Sequence, residues 1–77
     1  MNQEEIIVYT SQNCNQSKKV MNLLENWNKH YEERNISEDR SYLKELQQNG
    51  IYATPATFIE DKCILGYQRR AIVQAIS

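Results

Sequence analysis

The chain has 77 residues, of which 40% are hydrophobic and 25% are charged, and its net charge is −1. This length predicts one domain with a modest core, spanning residues 1–77, and the composition is ordinary for a globular protein. The near-neutral charge excludes the basic character expected of a protein that binds nucleic acid or an anionic membrane, and we expect a monomer. Arg69 and Arg70 form a local basic patch, which we interpret as two solvated side chains on a helix surface.

The N-terminal segment does not have the pattern of a targeting signal. Residues 1–5 carry acids where a signal peptide carries bases, and the apolar run that follows is residues 6–8 only. A membrane span needs about 18 consecutive apolar residues. We therefore predict a cytoplasmic protein, and because structural disulfides are rare in that reducing compartment, we expect Cys14 and Cys63 to be free thiols.

The first half of the chain predicts a β-α-β-α order. Residues 4–10 are rich in β-branched side chains and show little alternation, as in a central strand buried on both faces. Apolar residues recur at helical spacing over residues 15–28, and residues 30–36 form a weak strand candidate. Ser37 then predicts a helix start as the N-cap, with Glu38 and Asp39 facing the positive helix end, and residues 49–50 (Asn-Gly) predict its stop.

The second half predicts a hairpin and a closing helix. Residues 57–60 and 62–65 flank a polar turn at Asp61, Gly66 ends the second strand, and residues 71–76 carry a short apolar helical pattern. A β-α-β start implies parallel strands with a right-handed crossover, whereas the hairpin adds antiparallel strands. The fold class is therefore α/β, in the order β-α-β-α-β-β-α, with a four-stranded mixed sheet and helices on both faces.

Cys14 lies where the first predicted strand gives way to a helix. The free N–H groups and positive dipole of a helix start favour an anion there, and the thiolate is the nucleophilic form of cysteine. We predict that Ser17 donates its hydroxyl proton to the sulfur and that Lys18 adds positive charge. A buried, inert cysteine is the alternative on position alone, but four polar neighbours favour exposure: Gln12, Asn13, Asn15 and Gln16.

Three blocks of the sequence form a further pattern. They are YTSQNCNQSKK at 9–19, ATPATF at 53–58 and LGY at 65–67. In order and spacing they resemble the V-Y-[ST]…C-x-x-[CS]-K, [TV]-[VT]-P-x-x-F and G-[FY] motifs of the glutaredoxin family, over essentially the whole chain. The resemblance implies a thioredoxin-like fold and a thiol–disulfide oxidoreductase that acts in electron transport and cell redox homeostasis.

The same resemblance implies a substrate site around Cys14. Pro55 is expected to be cis and to face the cysteine, and Thr54 is expected to offer its backbone to the extended chain of the substrate. We predict further substrate contacts in the helix start and in the glycine turn, at Asn13, Gln16, Gly66 and Tyr67.

Ser17 stands where most family members have a second cysteine. A serine hydroxyl does not attack a disulfide at neutral pH, so we predict a monothiol mechanism in which Cys14 is the sole nucleophile and an outside thiol completes the exchange. If Ser17 is instead an engineered replacement, the parent protein is a dithiol redoxin. Cys63 is expected on the edge strand, roughly 10 Å away across two strand spacings, which exceeds the ~7 Å limit for a disulfide. We therefore predict a passive role for Cys63.

No tightly bound cofactor and no metal site are predicted. The expected partners are a low-molecular-weight thiol (glutathione or bacillithiol) as co-substrate, and protein disulfides or mixed disulfides. Members that use glutathione usually have a lysine before the motif, a threonine two before the proline and a Gly-Gly…Asp turn, which this chain replaces by Gln12, Ala53, Leu65 and Gln68-Arg69. The Gly66-Tyr67-Gln68 turn is closer to glutaredoxin-like redoxins that take electrons from thioredoxin reductase, a branch that normally has both cysteines.

Two other functions stay open at this point. Monothiol glutaredoxins with a C-G-F-S motif carry iron–sulfur clusters, but this chain has Asn15-Gln16 in place of Gly-Phe. The second alternative is a binding module that keeps the fold and has lost turnover together with the second cysteine.

Overall fold

A computed structural model describes residues 5–77, so Glu4 of the predicted first strand and the N-terminal residues 1–3 lie outside the described residues. The elements run β1 (Ile6–Thr10), α1 (Asn15–Asn26), β2 (Glu32–Asn35), α2 (Arg40–Gln48), β3 (Ala56–Ile59), β4 (Lys62–Leu65) and α3 (Arg69–Ile76). This confirms the predicted order of four strands and three helices. Within the described range, no helix combines the length and the apolar character that crossing a membrane requires.

The four strands form one mixed sheet in the order β2-β1-β3-β4. β1 runs parallel to β2 and antiparallel to β3, which pairs with β4 in the predicted hairpin. The central position of β1 explains its continuous apolar sequence, because both of its faces are covered. The polar strand β2 lies at the edge of the sheet and pairs with β1 only. Its Arg34 side chain forms ion pairs with the carboxylates of Glu32, at 2.7 Å, and Glu45, at 2.9 Å.

The two faces of the sheet bury separate apolar clusters. Helices α1 and α3 cover the larger cluster, which is built from Ile6, Val8, Val20, Leu23, Leu24, Ile59, Ile64, Ile72 and Ile76. Helix α2 covers the other face, where Leu46 is fully buried beside Tyr9 and Ala56. Alternation along β1 produces this division, since Ile6 and Val8 point to one face and Tyr9 to the other.

The start of α2 differs from its prediction. Asp39, not Ser37, is the N-cap, and its carboxylate accepts a hydrogen bond from the Ser41 N–H at 2.9 Å. The Ser37 hydroxyl is occupied elsewhere, because it accepts a hydrogen bond from the Gln12 N–H at 2.9 Å in the loop after β1. The prediction that Glu38 and Asp39 both lie in the first turn of this helix was therefore wrong, because Asp39 is the N-cap and Glu38 precedes it. Gly50, with φ +76°, follows the helix end as predicted.

Candidate active site

The loop between β1 and α1 presents Cys14 at the N-cap of the helix. β1 ends at Thr10, and Asn13 then adopts a left-handed conformation with φ +60°, which reverses the chain before the helix begins at Asn15. Asparagine tolerates this backbone region better than most residues. Cys14 itself is extended (φ −103°, ψ 102°) and half-buried. The predicted position of Cys14 at a helix start is confirmed, but the residue is only partly exposed, whereas its polar neighbours predicted an exposed thiol.

A second loop, which precedes β3, lies against the sulfur. The Thr54–Pro55 peptide bond is cis, as the family resemblance implied, and the Cys14 thiol lies 4.0 Å from the Thr54 carbonyl oxygen. Within residues 5–77 the Thr54 N–H has no backbone partner. The Gly66 N–H donates to the Pro55 carbonyl at 2.8 Å, so the glycine turn after β4 is joined to the same loop.

Three hydroxyl groups surround the sulfur. Ser11 and Thr54 share a hydrogen bond of 2.7 Å between their side-chain oxygens. Ser17, in the first turn of α1, is only 1% exposed, and its hydroxyl has no hydrogen-bond partner among the described residues. A buried hydroxyl without a partner costs free energy, so a thiolate that accepts a hydrogen bond from this hydroxyl removes that cost.

These groups set the pKa of Cys14. Partial burial raises the pKa, but the donor groups close to the sulfur, namely the Ser17 hydroxyl and N–H and the Thr54 and Ser11 hydroxyls, outweigh burial, so the pKa lies below its ordinary value. The Ser17 N–H is the amide at the third helical position, where an N-cap side chain can accept a hydrogen bond, although Cys14 forms no capping hydrogen bond here. The contact to the Thr54 carbonyl favours the thiol form, but at 4.0 Å it is weak.

The remaining predicted site residues fall into two groups. Gln16, Gly66 and Tyr67 come together, because the Gln16 side-chain oxygen accepts a hydrogen bond from the Tyr67 N–H at 3.3 Å and lies beside Gly66. Asn13 and Lys18 are exposed on the loop and the helix. The Lys18 N–H closes the first helical turn on the Cys14 carbonyl at 3.3 Å, but its ammonium group is not among the groups that lower the pKa of Cys14.

Cys63 lies away from this constellation. It is a free, exposed residue of the edge strand β4, where it pairs with Phe58 of β3. Two strand spacings therefore separate it from β1, as predicted. Burial raises the pKa of the Cys63 thiol, the opposite direction from that of Cys14.

Ser11 is the site residue that the sequence did not reveal. In the sequence it was only a polar residue that ends the first strand, three positions before the cysteine. The backbone reversal at Asn13 turns the loop back, so that the Ser11 hydroxyl bonds to Thr54 and is one of the groups that lower the pKa of Cys14. A positive φ at one asparagine leaves too weak a signal in a single sequence for this contact to be predicted.

Comparisons with known proteins agree with this architecture. The glutaredoxin family model matches residues 6–64. Among solved structures, the thioredoxin-like protein BC3987 is 27% identical over 94% of this chain and 100% of that chain, with a TM-score of 0.88. A comparison with curated protein sequences finds no match.

Two further solved structures share the fold at lower identity. The glutaredoxin grx-1 from Archaeoglobus fulgidus is 24% identical over 95% of this chain and 86% of that chain, with a TM-score of 0.79. NrdH-redoxin from Escherichia coli, a glutaredoxin-like protein with a thioredoxin-like activity profile, is 21% identical over 91% of this chain and 92% of that chain, with a TM-score of 0.83.

Proposed function

Because this chain belongs to the glutaredoxin family, we propose that it is a thiol–disulfide oxidoreductase in which Cys14 is the sole nucleophile. One observation carries the proposal: a partly exposed sulfur lies at the N-cap position of α1, close to hydrogen-bond donors that lower its pKa. Thiolate character and access are the two properties that make a cysteine reactive toward disulfides.

The first step transfers an electron pair from Cys14 to the substrate. The Cys14 thiolate attacks one sulfur of a disulfide R–S–S–R′, so that a Cys14–S–S–R bond forms while the original S–S bond breaks. The electron pair of the broken bond leaves with R′S⁻, which takes a proton from solvent. Cys14 is thereby oxidised to a mixed disulfide, and one half of the substrate is reduced.

The second step needs a thiol from outside the chain. Ser17 holds the position from which a second cysteine would attack, and Cys63 lies on the edge strand, two strand spacings from β1. A low-molecular-weight thiolate, glutathione or bacillithiol, therefore attacks the R sulfur of the mixed disulfide. This attack forms a new external disulfide and releases the Cys14 thiolate for another cycle.

The surroundings of Cys14 supply positions for the substrate. The Thr54 carbonyl borders the sulfur, and the N–H of the same residue has no backbone partner among residues 5–77, so an extended substrate chain binds there by backbone hydrogen bonds, next to Pro55. On the other side of the sulfur, the proposed substrate site is bordered by Asn13, Gln16, Gly66 and Tyr67. Both cysteines are free, which is consistent with a protein that carries electrons between thiols in the reducing cytoplasm.

The proposal is tested by intact mass spectrometry after incubation with oxidised glutathione, bacillithiol disulfide and cystine, one at a time. We expect an adduct on Cys14 with one of these and its loss in Cys14→Ser, whereas Cys63→Ser keeps it. The disulfide that forms the adduct identifies the co-substrate. A protein that forms no adduct with any of the three is a binding module, and the proposed activity is then wrong.

A further inference from the structure

A groove lies between α1 and the segment that leads into α3. It has a volume of about 270 Å³. On the side of α1 it is lined by residues at helical spacing, namely Lys19, Asn22, Leu23 and Asn26 of the helix and Trp27 at its C-cap. The opposite wall is formed by Tyr67, which follows the glycine turn, and by Arg69 at the start of α3.

The groove lies next to the site around Cys14, although Cys14 itself does not line it. Tyr67 is the junction, because its N–H donates to Gln16 at 3.3 Å while the Lys19 ammonium lies 5.9 Å from the centre of its ring. Lys19 follows the Cys14 N-cap by five residues, which is about 8 Å along the helix axis. A polypeptide whose sulfur lies at Cys14 reaches this groove within a few extended residues, at about 3.3 Å per residue.

The chemistry of the groove is cationic and aromatic. Both charged residues that line it, Lys19 and Arg69, are positive, although the chain as a whole has a net charge of −1. No carboxylate among residues 5–77 forms an ion pair with either of them. Between them, Trp27 keeps 39% of its surface exposed, and Leu23 lies at the floor of the groove.

We propose that this groove binds an acidic segment, with one apolar side chain, of the protein whose disulfide is exchanged at Cys14. The carboxylates of the segment pair with Lys19 and Arg69, and its apolar side chain packs on Leu23 and Trp27. From Lys19 to Trp27 the α1 wall is about 12 Å long, which matches three to four extended residues. The inference rests on the proposed function, because it assigns the groove to that reaction's protein substrate.

Binding is measured without any redox chemistry in the Cys14→Ser protein. Trp27 is the only tryptophan of the chain and lines the groove, so its fluorescence reports occupancy directly. The probe is an acetylated, amidated pentapeptide with a central leucine between two glutamates on each side, and its counterpart has lysines instead. We expect a saturable change with the acidic peptide only, weaker at 300 mM than at about 50 mM salt because exposed ion pairs are screened.

Charge reversal gives the matched comparison. Lys19→Glu/Arg69→Glu should weaken binding of the acidic peptide about tenfold, because both ion pairs become repulsive. Arg40→Glu/Lys44→Glu changes the net charge by the same amount on the exposed side of α2 and should leave binding unchanged. Equal binding of both peptides, or equal effects of the two double variants, overturns the proposal.

Kinetics with Cys14 present separates this inference from the proposed activity. Each pentapeptide receives an added cysteine, whose sulfur is joined to cysteamine in a mixed disulfide. The kcat/KM values of the two substrates are then measured, and their ratio is compared between the wild-type protein and the Lys19→Glu/Arg69→Glu variant. We expect the acidic peptide to be favoured, and the Lys19→Glu/Arg69→Glu variant to lose or invert that ratio. Exchange without any charge preference refutes the groove but keeps the activity. Fluorescence binding without any exchange keeps the groove as a peptide site and refutes the activity.

Discussion

The unpaired hydroxyl of Ser17 allows a quantitative test of how this fold activates a thiol. Its oxygen is buried and has no hydrogen-bond partner among the described residues, yet it is one of the groups that lower the pKa of Cys14. Ser17→Ala removes this donor and leaves the helix start otherwise intact. A hydrogen bond to a charged group is worth about 1.5–3 kcal/mol, and the low end applies here because the sulfur is partly exposed. The ratio of thiolate to thiol should therefore fall about tenfold.

The exchange rate at pH 6 should fall less than the thiolate ratio. A thiolate of higher pKa is also more nucleophilic, with a Brønsted coefficient of about 0.4–0.5. For a tenfold change in the thiolate ratio, this raises the rate of the remaining thiolate about threefold and offsets part of the loss. We thus expect a three- to fourfold slower reaction of Ser17→Ala with a small disulfide at pH 6. At the same time, the absorbance of the thiolate near 240 nm, followed as a function of pH, should shift to higher pH.

Thr57→Val is the matched control for this experiment. Thr57 is the other buried residue whose hydroxyl lacks a partner within residues 5–77, and it lies in β3, paired with Val8 and Ile64. Both substitutions remove an unsatisfied buried hydroxyl, so neither should lower the melting temperature of the reduced protein by much, and Thr57→Val should raise it. Only Ser17→Ala should change the titration of the thiol. An unchanged titration in Ser17→Ala, or the same change in Thr57→Val, would refute this account of thiolate stabilisation.

Three further predictions concern the thiols and the glycine turn. Ser17→Cys creates a C-x-x-C pair at the start of α1; we expect an internal disulfide with Cys14, seen as a mass loss of about 2 Da, and exchange that proceeds without a small thiol. Free thiols remaining on both cysteines after mild oxidation would contradict this. Because the folded protein holds the pKa of Cys14 below its unfolded value, the unfolded state binds more protons between the two values. The free energy of unfolding of the reduced protein, measured with urea, should therefore rise with pH between the folded and the unfolded pKa of Cys14. This stabilisation is lost as the pH drops through the folded pKa. The same pH dependence in Cys14→Ser would refute its assignment to Cys14. Gly66→Ala places a Cβ on a residue with φ +72° and 3.4 Å from the Gln16 side chain. This should cost about 1–2 kcal/mol of the free energy of unfolding measured in urea, and a wild-type midpoint would show that the turn relaxes freely.

Much of the architecture follows from local patterns in the sequence. The continuous apolar run of β1, the polar break after it and the helical spacing of Val20, Leu23 and Leu24 together placed Cys14 at a helix start. These signals are reliable because strand and helix periodicity depend on near neighbours in the chain. The weak strand β2 was also predicted, although its polar sequence reflects an edge position that only the assembled sheet defines.

Tertiary structure decided how the thiol is activated and where α2 begins. Ser11 and Thr54 are 43 residues apart, and no local rule connects their hydroxyls to each other or to the sulfur. Ser37 has the side chain of an N-cap, but its hydroxyl bonds Gln12 across the molecule, and Asp39 caps the helix instead. Local patterns along the chain specify which elements form, and they place a cysteine at the N-terminus of α1. The partners of each polar group were decided only on folding, because a hydrogen bond depends on distance in space and not on spacing along the chain.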